Sequence, residues 1–298
     1  MSNNARAILM MILAVFCFSS MDATAKSVAL ETNTVMALWA RYAGQALLVI
    51  VLVLPRIRSV ARTQYPVLQF LRSAFLLTAT ASFFYGLTRN GLAENTAIMD
   101  VNPVLVTLGA AIFLGEKLGP RRIAGILAAM VGAMIIIRPG TAVFSPDAIF
   151  PLIAAFAYAG YSLTTRYVGA REDPWTSLFY AALLGALVIT TLLPGHWQTP
   201  STGVLLKMLL IAGLGTVAQL MMIRSLSIGE AAMLAPFAYV GLINATFWGI
   251  VAYGEFPDTW TICGALVIVG AGVYVWHRET RGGTASLPAK AKTPPEGL

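Results

Sequence analysis

Three ionisable side chains stand where the sequence is otherwise apolar. Asp22 lies in FSSMDATAK, Arg41 in LWARYAG and Asp100 in NTAIMDVNPV. Each falls inside a window long enough to cross a bilayer, about seven or eight residues from the same side, which at 1.5 Å per residue is roughly 10–12 Å deep. The three therefore share one layer. Ionisable groups within spans seek one another and mark solute or proton paths. The expectation is that Arg41 neutralises one carboxylate, leaving the other to carry a proton or hold a cationic or hydrogen-bonding part of a solute. A fixed Asp–Arg bridge that merely locks three helices is the competing reading.

Polar residues form stripes at helical spacing. Thr96, Asp100, Pro103 and Thr107 follow i, i+4, i+7, i+11, with Asn95 and Asn102 beside them. Thr78, Ser82 and Tyr85 repeat the pattern, as do Ser19, Asp22 and Lys26, then Tyr158, Tyr161 and Thr165, and Thr216 with Gln219. Such stripes must face protein interior or water. Ser and Thr can satisfy themselves on their own helix carbonyls, so solute contact is expected first of Asn95, Asn102, Gln219 and Asn244. Tyr85, Tyr158, Tyr161 and Tyr239 join them, because a midspan hydroxyl needs a partner. Pro103 and Pro236 sit in corresponding regions of two spans, where a proline frees a carbonyl and permits a hinge.

Other chemistries find no support. Cys17 and Cys263 are isolated in apolar helices, where Cys is usually a packing residue. His196 and His277 form no metal-binding cluster, and no Gly-x-x-x-x-Gly-Lys-[Ser/Thr] phosphate loop occurs. No catalytic group, metal or cofactor is expected. Any uphill movement would draw on an ion gradient, an exchanged solute or a partner.

The elements that position these residues follow from composition. With 58% hydrophobic and 11% charged residues and a mean hydropathy of +0.76, the chain requires a lipid environment, since soluble domains are about 25% charged. Ten windows approach the roughly 20 residues that span a bilayer: 7–29, 33–54, 67–87, 92–114, 121–137, 147–167, 174–193, 203–226, 230–253 and 259–276. LGEKLGPRRIAG (114–125) and YGEFPDTWTICG (253–264) share a Gly-Glu pair followed nine residues later by Gly, and Lys26 stands 140 residues before Arg166.

The chain thus reads as a duplication: residues 1–140 and 147–278, each of five helices, and a disordered cytoplasmic tail over 279–298. An odd helix number inverts the second copy, a design that points to transport. Fifteen of the twenty Lys and Arg fall on the side holding both termini, Arg56, Arg58, Arg62, Arg72, Lys117, Arg121 and Arg122 among them. Lys26, Arg89, Arg138 and Lys207 fall on the other side, and Arg41 within a span. Positive loops mark the cytoplasm, so both termini are expected there, and the +7 charge is this asymmetry rather than a nucleic-acid surface. Ala23-Thr24-Ala25 after an apolar run also resembles a signal-cleavage site, but the duplication needs that helix. Glu94 and Glu230 suit helix starts. Glu116 and Glu255, one per half, could pair with nearby cations or satisfy loop amides.

Several segments resemble the EamA branch of the drug/metabolite transporter superfamily: the two Gly-Glu elements, FFYGLTRNGLAENTA (83–97) and LAPFAYVGLINATFWGIVAYGE (234–255). MDATAK (21–26), WARYAG (39–44), LGPRRIAG (118–125) with IIIRPG (135–140), and the Ala235, Pro236, Phe237, Tyr239 pattern look most like the bacterial riboflavin and S-adenosylmethionine carrier group. The resemblance implies an all-α, multi-pass protein of the bacterial inner membrane, with ten helices in two inverted repeats. It also implies that helices five and ten are peripheral and the rest surround a central solute cavity. Residues 123–137 and 262–275 are accordingly almost devoid of polar side chains. Their Ala and Gly content suits close helix contact, within the chain or in a homodimer. Aromatic residues beside amides would suit a flavin, so riboflavin uptake is the leading expectation. S-adenosylmethionine, an amino-acid-derived metabolite, or export are the alternatives.

Overall fold

The apolar windows fold as helices. The computed structural model describes residues 3–114, 120–138, 145–169, 171–228, 234, 237 and 240–282. Helix α1 spans Asn3–Glu31, α2 Thr34–Val53, α3 Ile57–Val60, α4 Pro66–Leu87, α5 Leu92–Met99 and α6 Asn102–Leu114. Then come α7 Pro120–Ile137, α8 Ile149–Gly169, α9 Pro174–Leu192, α10 Thr202–Ile228, α11 Val240–Tyr253 and α12 Thr259–Gly282. No strand occurs among the described residues. Six stretches are long and apolar enough to cross a membrane: Ala5–Glu31, Thr34–Val60, Pro66–Leu87, Pro146–Thr165, Pro174–Gly195 and Thr202–Ile228. Shorter apolar runs occupy α7, α11 and α12. Leu47, Leu206, Ile243 and Leu266 point outward and are largely exposed, as befits a multi-pass membrane protein whose solvent there is lipid.

Local chemistry sets the helix ends. The Asn33 side chain accepts from the Met36 amide at the start of α2, and Asp173 accepts from Trp175 at the start of α9. Pro66 and Pro174 open their helices, where a missing N–H costs nothing. Gly254 closes α11 with φ 65°, a left-handed conformation that favours glycine. Its amide and that of Glu255 turn back onto the carbonyls of Ile250 and Gly249, so the Gly stops the helix and the Glu emerges at a fixed place.

The helices pair across the chain rather than along it. α1 packs mainly on α10, and α4 mainly on α8. α10 also packs on α2, and α4 on α9; α1 meets α11, and α8 meets α5 and α6; α2 lies on α9, and α7 on α12. Small residues permit the tightest approaches. A Cβ added at Gly185 would stand 2.1 Å from the Tyr42 ring, and one at Gly264 2.6 Å from the Gly132 carbonyl oxygen.

Two sequence expectations change. The window at 92–114 is two helices, broken at Asp100 and Val101. The final helix runs to Gly282, because 279–282 continue an established helix; 283–298, the rest of the expected tail, lie outside the described residues. Gly132 of α7 and Gly264 of α12 pack against each other within one chain.

Candidate functional site

Asp22, Arg41 and Asp100 line one cavity of about 180 Å³. Its walls come from α1, α2, α4, the α5–α6 break, α8, α10 and α11; α7 and α12 contribute none of the lining. Two helices present one face each. Val15, Phe18, Ser19 and Asp22 of α1, and Leu76, Ala79, Thr80 and Phe83 of α4, all line the cavity at i, i+3, i+4, i+7. The surface is therefore mostly apolar and aromatic, with a few charges set into it.

The break between α5 and α6 places Asp100. A proline at 103 has no N–H for the Met99 carbonyl, and its ring cannot follow a regular turn. The chain responds by tightening: the Asp100 amide reaches Thr96, while Val101 bonds only three residues back to Ile98. Irregular backbone at membrane depth is tolerated where it borders a cavity. Asp100 ends α5 there, and its buried Oδ2 has no hydrogen-bond partner.

Arg41 does not bridge to either carboxylate. Its guanidinium donates to Met21 Sδ at 2.7 Å and lies 5.6 Å from the Phe18 ring centroid and 5.7 Å from that of Tyr42. Nε has no partner, although only 3% of the residue is exposed. No Arg41–Asp contact within 4 Å occurs among the described residues. The expected neutralising pair is absent because polarisable sulfur and aromatic faces hold the guanidinium instead. Asp22 remains within electrostatic reach of Arg41.

The other expected solute contacts divide. Tyr158 and Asn102 line the cavity, and Asn102 also donates to the Ala155 carbonyl at 3.1 Å. Asn95 is fully buried elsewhere, donating to the Phe83 carbonyl and accepting from Asn90, so it clamps α4 to α5. Tyr85 stacks on Phe150 and lies under Arg89 at the end of α4, outside the cavity. Tyr161 and Gln219 sit behind the wall, with Gln219 donating to the Tyr161 hydroxyl. Asn244 is half-buried on α11 and is not part of the lining. Pro103 stands in the first turn of α6; Pro236 and Tyr239 lie outside the described residues. The sequence reading passed over Phe18, Met21, Thr80 and Met222, which line the cavity. The signal for Phe18 was its place on the Asp22 face of α1.

Polar networks close both ends of the bundle. At one end Lys26 of α1 forms an ion pair with Glu255 and donates to the Asn90 carbonyl at 3.2 Å. The second Glu255 oxygen accepts the Leu92 amide at 2.8 Å, so one carboxylate ties α1 to the start of α5. Glu31 pairs with Lys207 nearby, and Tyr253 donates to the Ala23 carbonyl. Above this latch is a cavity of about 290 Å³ lined by Arg89, Glu94, Arg138, Glu255 and Asp258. Burial pushes the Asp258 carboxyl up, but hydrogen bonds from Thr261 and Arg138 outweigh it and hold it below the ordinary aspartate value.

At the opposite end Glu172 gathers Thr63, Gln64 and Gln69. Arg72, expected among the loop cations, is instead fully buried. It donates to Thr165, the Ser177 carbonyl and Tyr161, joining α4 to α8 and α9. Its three acceptors satisfy a guanidinium that water cannot reach.

Comparison with known proteins places these features in context. The EamA-like transporter family matches residues 5–138 and again 147–276. An S-adenosylmethionine uptake transporter of Rickettsia prowazekii is 24% identical, covering 75% of this chain and 76% of its own length. A pseudopaline exporter of Pseudomonas aeruginosa is 29% identical, covering 89% of this chain and 93% of its own. A riboflavin transporter of Rhizobium johnstonii is 29% identical, covering 74% and 73%. One solved crystal structure shares the fold, with a TM-score of 0.67 at 22% identity over 94% of this chain and 100% of that one.

Proposed function

The chain belongs to the EamA-like transporter family, and on that premise we propose that it carries a small charged metabolite across the bacterial inner membrane by alternating access. The observation that carries this reading is a cavity at a broken helix, lined by Asp22, Asp100 and Arg41 with no ion pair among them. Pockets for drug-sized ligands occupy about 300–1,000 Å³, whereas this one is about 180 Å³. A drug-sized solute needs more room than this cavity offers.

Ten spans in two inverted repeats supply the motion. The family matches the chain twice, and several helix pairings have exchange counterparts: α1 on α10 answers α8 on α4, and α2 on α10 answers α9 on α4. Lys26 and Glu255 latch the outer side. Both termini are cytoplasmic in this scheme, and lipid rather than a second copy covers the outward faces of α7 and α12.

Charge favours the class of solute named for the Rickettsia relatives over a flavin. Of the tyrosines expected to stack on an isoalloxazine, Tyr158 lines the cavity, whereas Tyr85 and Tyr161 do not. A bacterium expressing the chain should accumulate labelled S-adenosylmethionine saturably, and unlabelled S-adenosylmethionine should compete better than riboflavin. Saturable riboflavin uptake, unaffected by S-adenosylmethionine, would reverse the choice of cargo. Absence of movement of either solute in both directions, with the protein inserted, would count against a carrier of this class.

A further inference from the structure

We propose that Arg58 and Arg62 clasp the phosphate of an anionic membrane phospholipid whose acyl chains lie along the apolar faces of α2 and α4. Both arginines sit in the elbow that joins those helices. Leu54–Arg56 makes one tight turn, α3 follows it, and the Ala61 amide extends the helical pattern by donating to the Ile57 carbonyl at 2.8 Å, as the Arg62 amide does to Ser59 at 3.3 Å. The elbow is amphipathic. Val60 is buried and Ile57 half-buried, packed among Val49, Val53, Leu178 and Ile223, whereas Arg58 and Arg62 are exposed. Side chains four residues apart on a helical turn are neighbours, about 5–6 Å apart at Cβ. Two guanidiniums at that spacing suit the oxygens of one phosphodiester.

The nearby carboxylates are already committed. Glu172 accepts from Thr63, Gln69 and the Gln64 amide. Asp173 accepts from the Trp175 amide at 3.0 Å and faces Arg56 at 3.9 Å. Among the described residues neither Arg58 nor Arg62 has a carboxylate within 4 Å, so their charge is left for a partner outside the chain.

The surroundings select a lipid over a soluble anion. Leu52 and Leu54 lead into the arginines from α2, Val67 and Phe70 follow them on α4, and all four are exposed. A free phosphate gains nothing from such flanks, whereas a phospholipid sets its phosphate over the arginines and its chains over the apolar residues. The Arg56 guanidinium lies 5.4 Å from the Trp175 ring centroid, and tryptophan marks the headgroup level of membrane helices. Basic residues beside a span attract anionic lipid. The elbow also rests on α9, because the Tyr180 hydroxyl donates to the Ala61 carbonyl at 2.8 Å. A lipid held there would brace α2 and α4, which both line the cavity, without touching the solute.

Thermal unfolding of the full chain in detergent, with lipid titrated in, tests the clasp independently of cargo. Phosphatidylglycerol should raise the melting temperature more than phosphatidylcholine of the same chains, and glycerol phosphate, which has the headgroup charge without the chains, should leave it unchanged. At about fivefold for each arginine near an anionic surface, Arg58→Gln combined with Arg62→Gln should weaken the apparent affinity for phosphatidylglycerol about 25-fold and leave the phosphatidylcholine response as it was. If losing both charges impairs insertion, Arg58→Lys combined with Arg62→Lys keeps the charge but not the forked donors, and should still weaken phosphatidylglycerol about fivefold or more. Undiminished phosphatidylglycerol affinity in the inserted variants would overturn the clasp, and so would phosphatidylcholine matching phosphatidylglycerol in the wild type. Equal stabilisation by glycerol phosphate would overturn the lipid as occupant.

Discussion

Neutralising Glu255 should open the outer side of the cavity. Lys26 retains only 4% exposure in the latch, and Glu255→Gln would leave its ammonium with the Asn90 carbonyl, 3.2 Å away, and the Tyr253 ring, 5.1 Å to its centroid. Breaking a fully buried ion pair costs about 3–5 kcal/mol. The Glu255 side chain is 31% exposed, so solvent screening lowers the figure to about 2–3 kcal/mol, or about 30–150-fold in the ratio of closed to open states. A latch shut 99:1 would then stand open in about a quarter to three-fifths of molecules. Thr80 lines the cavity and bonds its own helix at Leu76, so Thr80→Cys makes a mild reporter once Cys17 and Cys263 are replaced by Ala. The rate of reaction with a membrane-impermeant maleimide applied outside should rise at least about tenfold in Glu255→Gln and little in Glu255→Asp. An unchanged rate in well-folded protein would refute the latch and the population argument together.

Other perturbations test the scaffold. Gly264→Val should lower thermal stability by about 1–3 kcal/mol through overpacking, because even its Cβ would stand 2.5 Å from Ile136 Cγ1; an unchanged melting temperature in detergent would show that α7 and α12 do not meet there. Arg72→Ala should cost about 3 kcal/mol or more, since three charge-assisted donations are lost from a buried site. Arg72→Lys should recover part of the folded yield, and full yield in Arg72→Ala would deny the hub. Asp258→Ala should destabilise the start of α12 by about 1 kcal/mol, because Asp258 caps Thr261. Its folded pKa is depressed, so this stabilisation is present above the ordinary aspartate value and disappears as pH falls through the folded value. The melting-temperature gap between wild type and Asp258→Ala should therefore close in acid, and a constant gap would contradict it.

The sequence was most informative where a single physical demand dominated. Apolar length alone revealed six spans, and the isolated charges pointed to the cavity, because an ionisable residue in lipid must face inward. Tyr85 and Asn95 were misleading because a polar stripe identifies the inward face without distinguishing a solute path from a helix contact. Asn95 satisfies its amide on the Phe83 carbonyl, a long-range partnership that spacing along one helix does not disclose. Arg72 was read as a loop cation because it lies near the start of a span; its acceptors are 89 to 105 residues away in sequence. The break at Asp100 could have been anticipated from Pro103, whose effect falls four residues upstream. The Gly-Glu repeat announced symmetry, but only the φ of Gly254 explains why the glycine must precede the carboxylate.

The pairing of α1 with α10 bears on how the protein is made. Ser225 donates to the Ala7 carbonyl across 218 residues of chain. At roughly 5–20 residues per second, a ribosome needs about 10–45 s to deliver that partner. Throughout that interval α1 carries Lys26 without Glu255, its ion-pair partner, and Asp22 without the α10 wall of its cavity. Those charges should linger at the insertion machinery instead of diffusing into lipid, so nascent α1 should remain crosslinkable to the insertase until α10 emerges. The clasp between the halves would then set when the first helix is released, as well as where it finally rests.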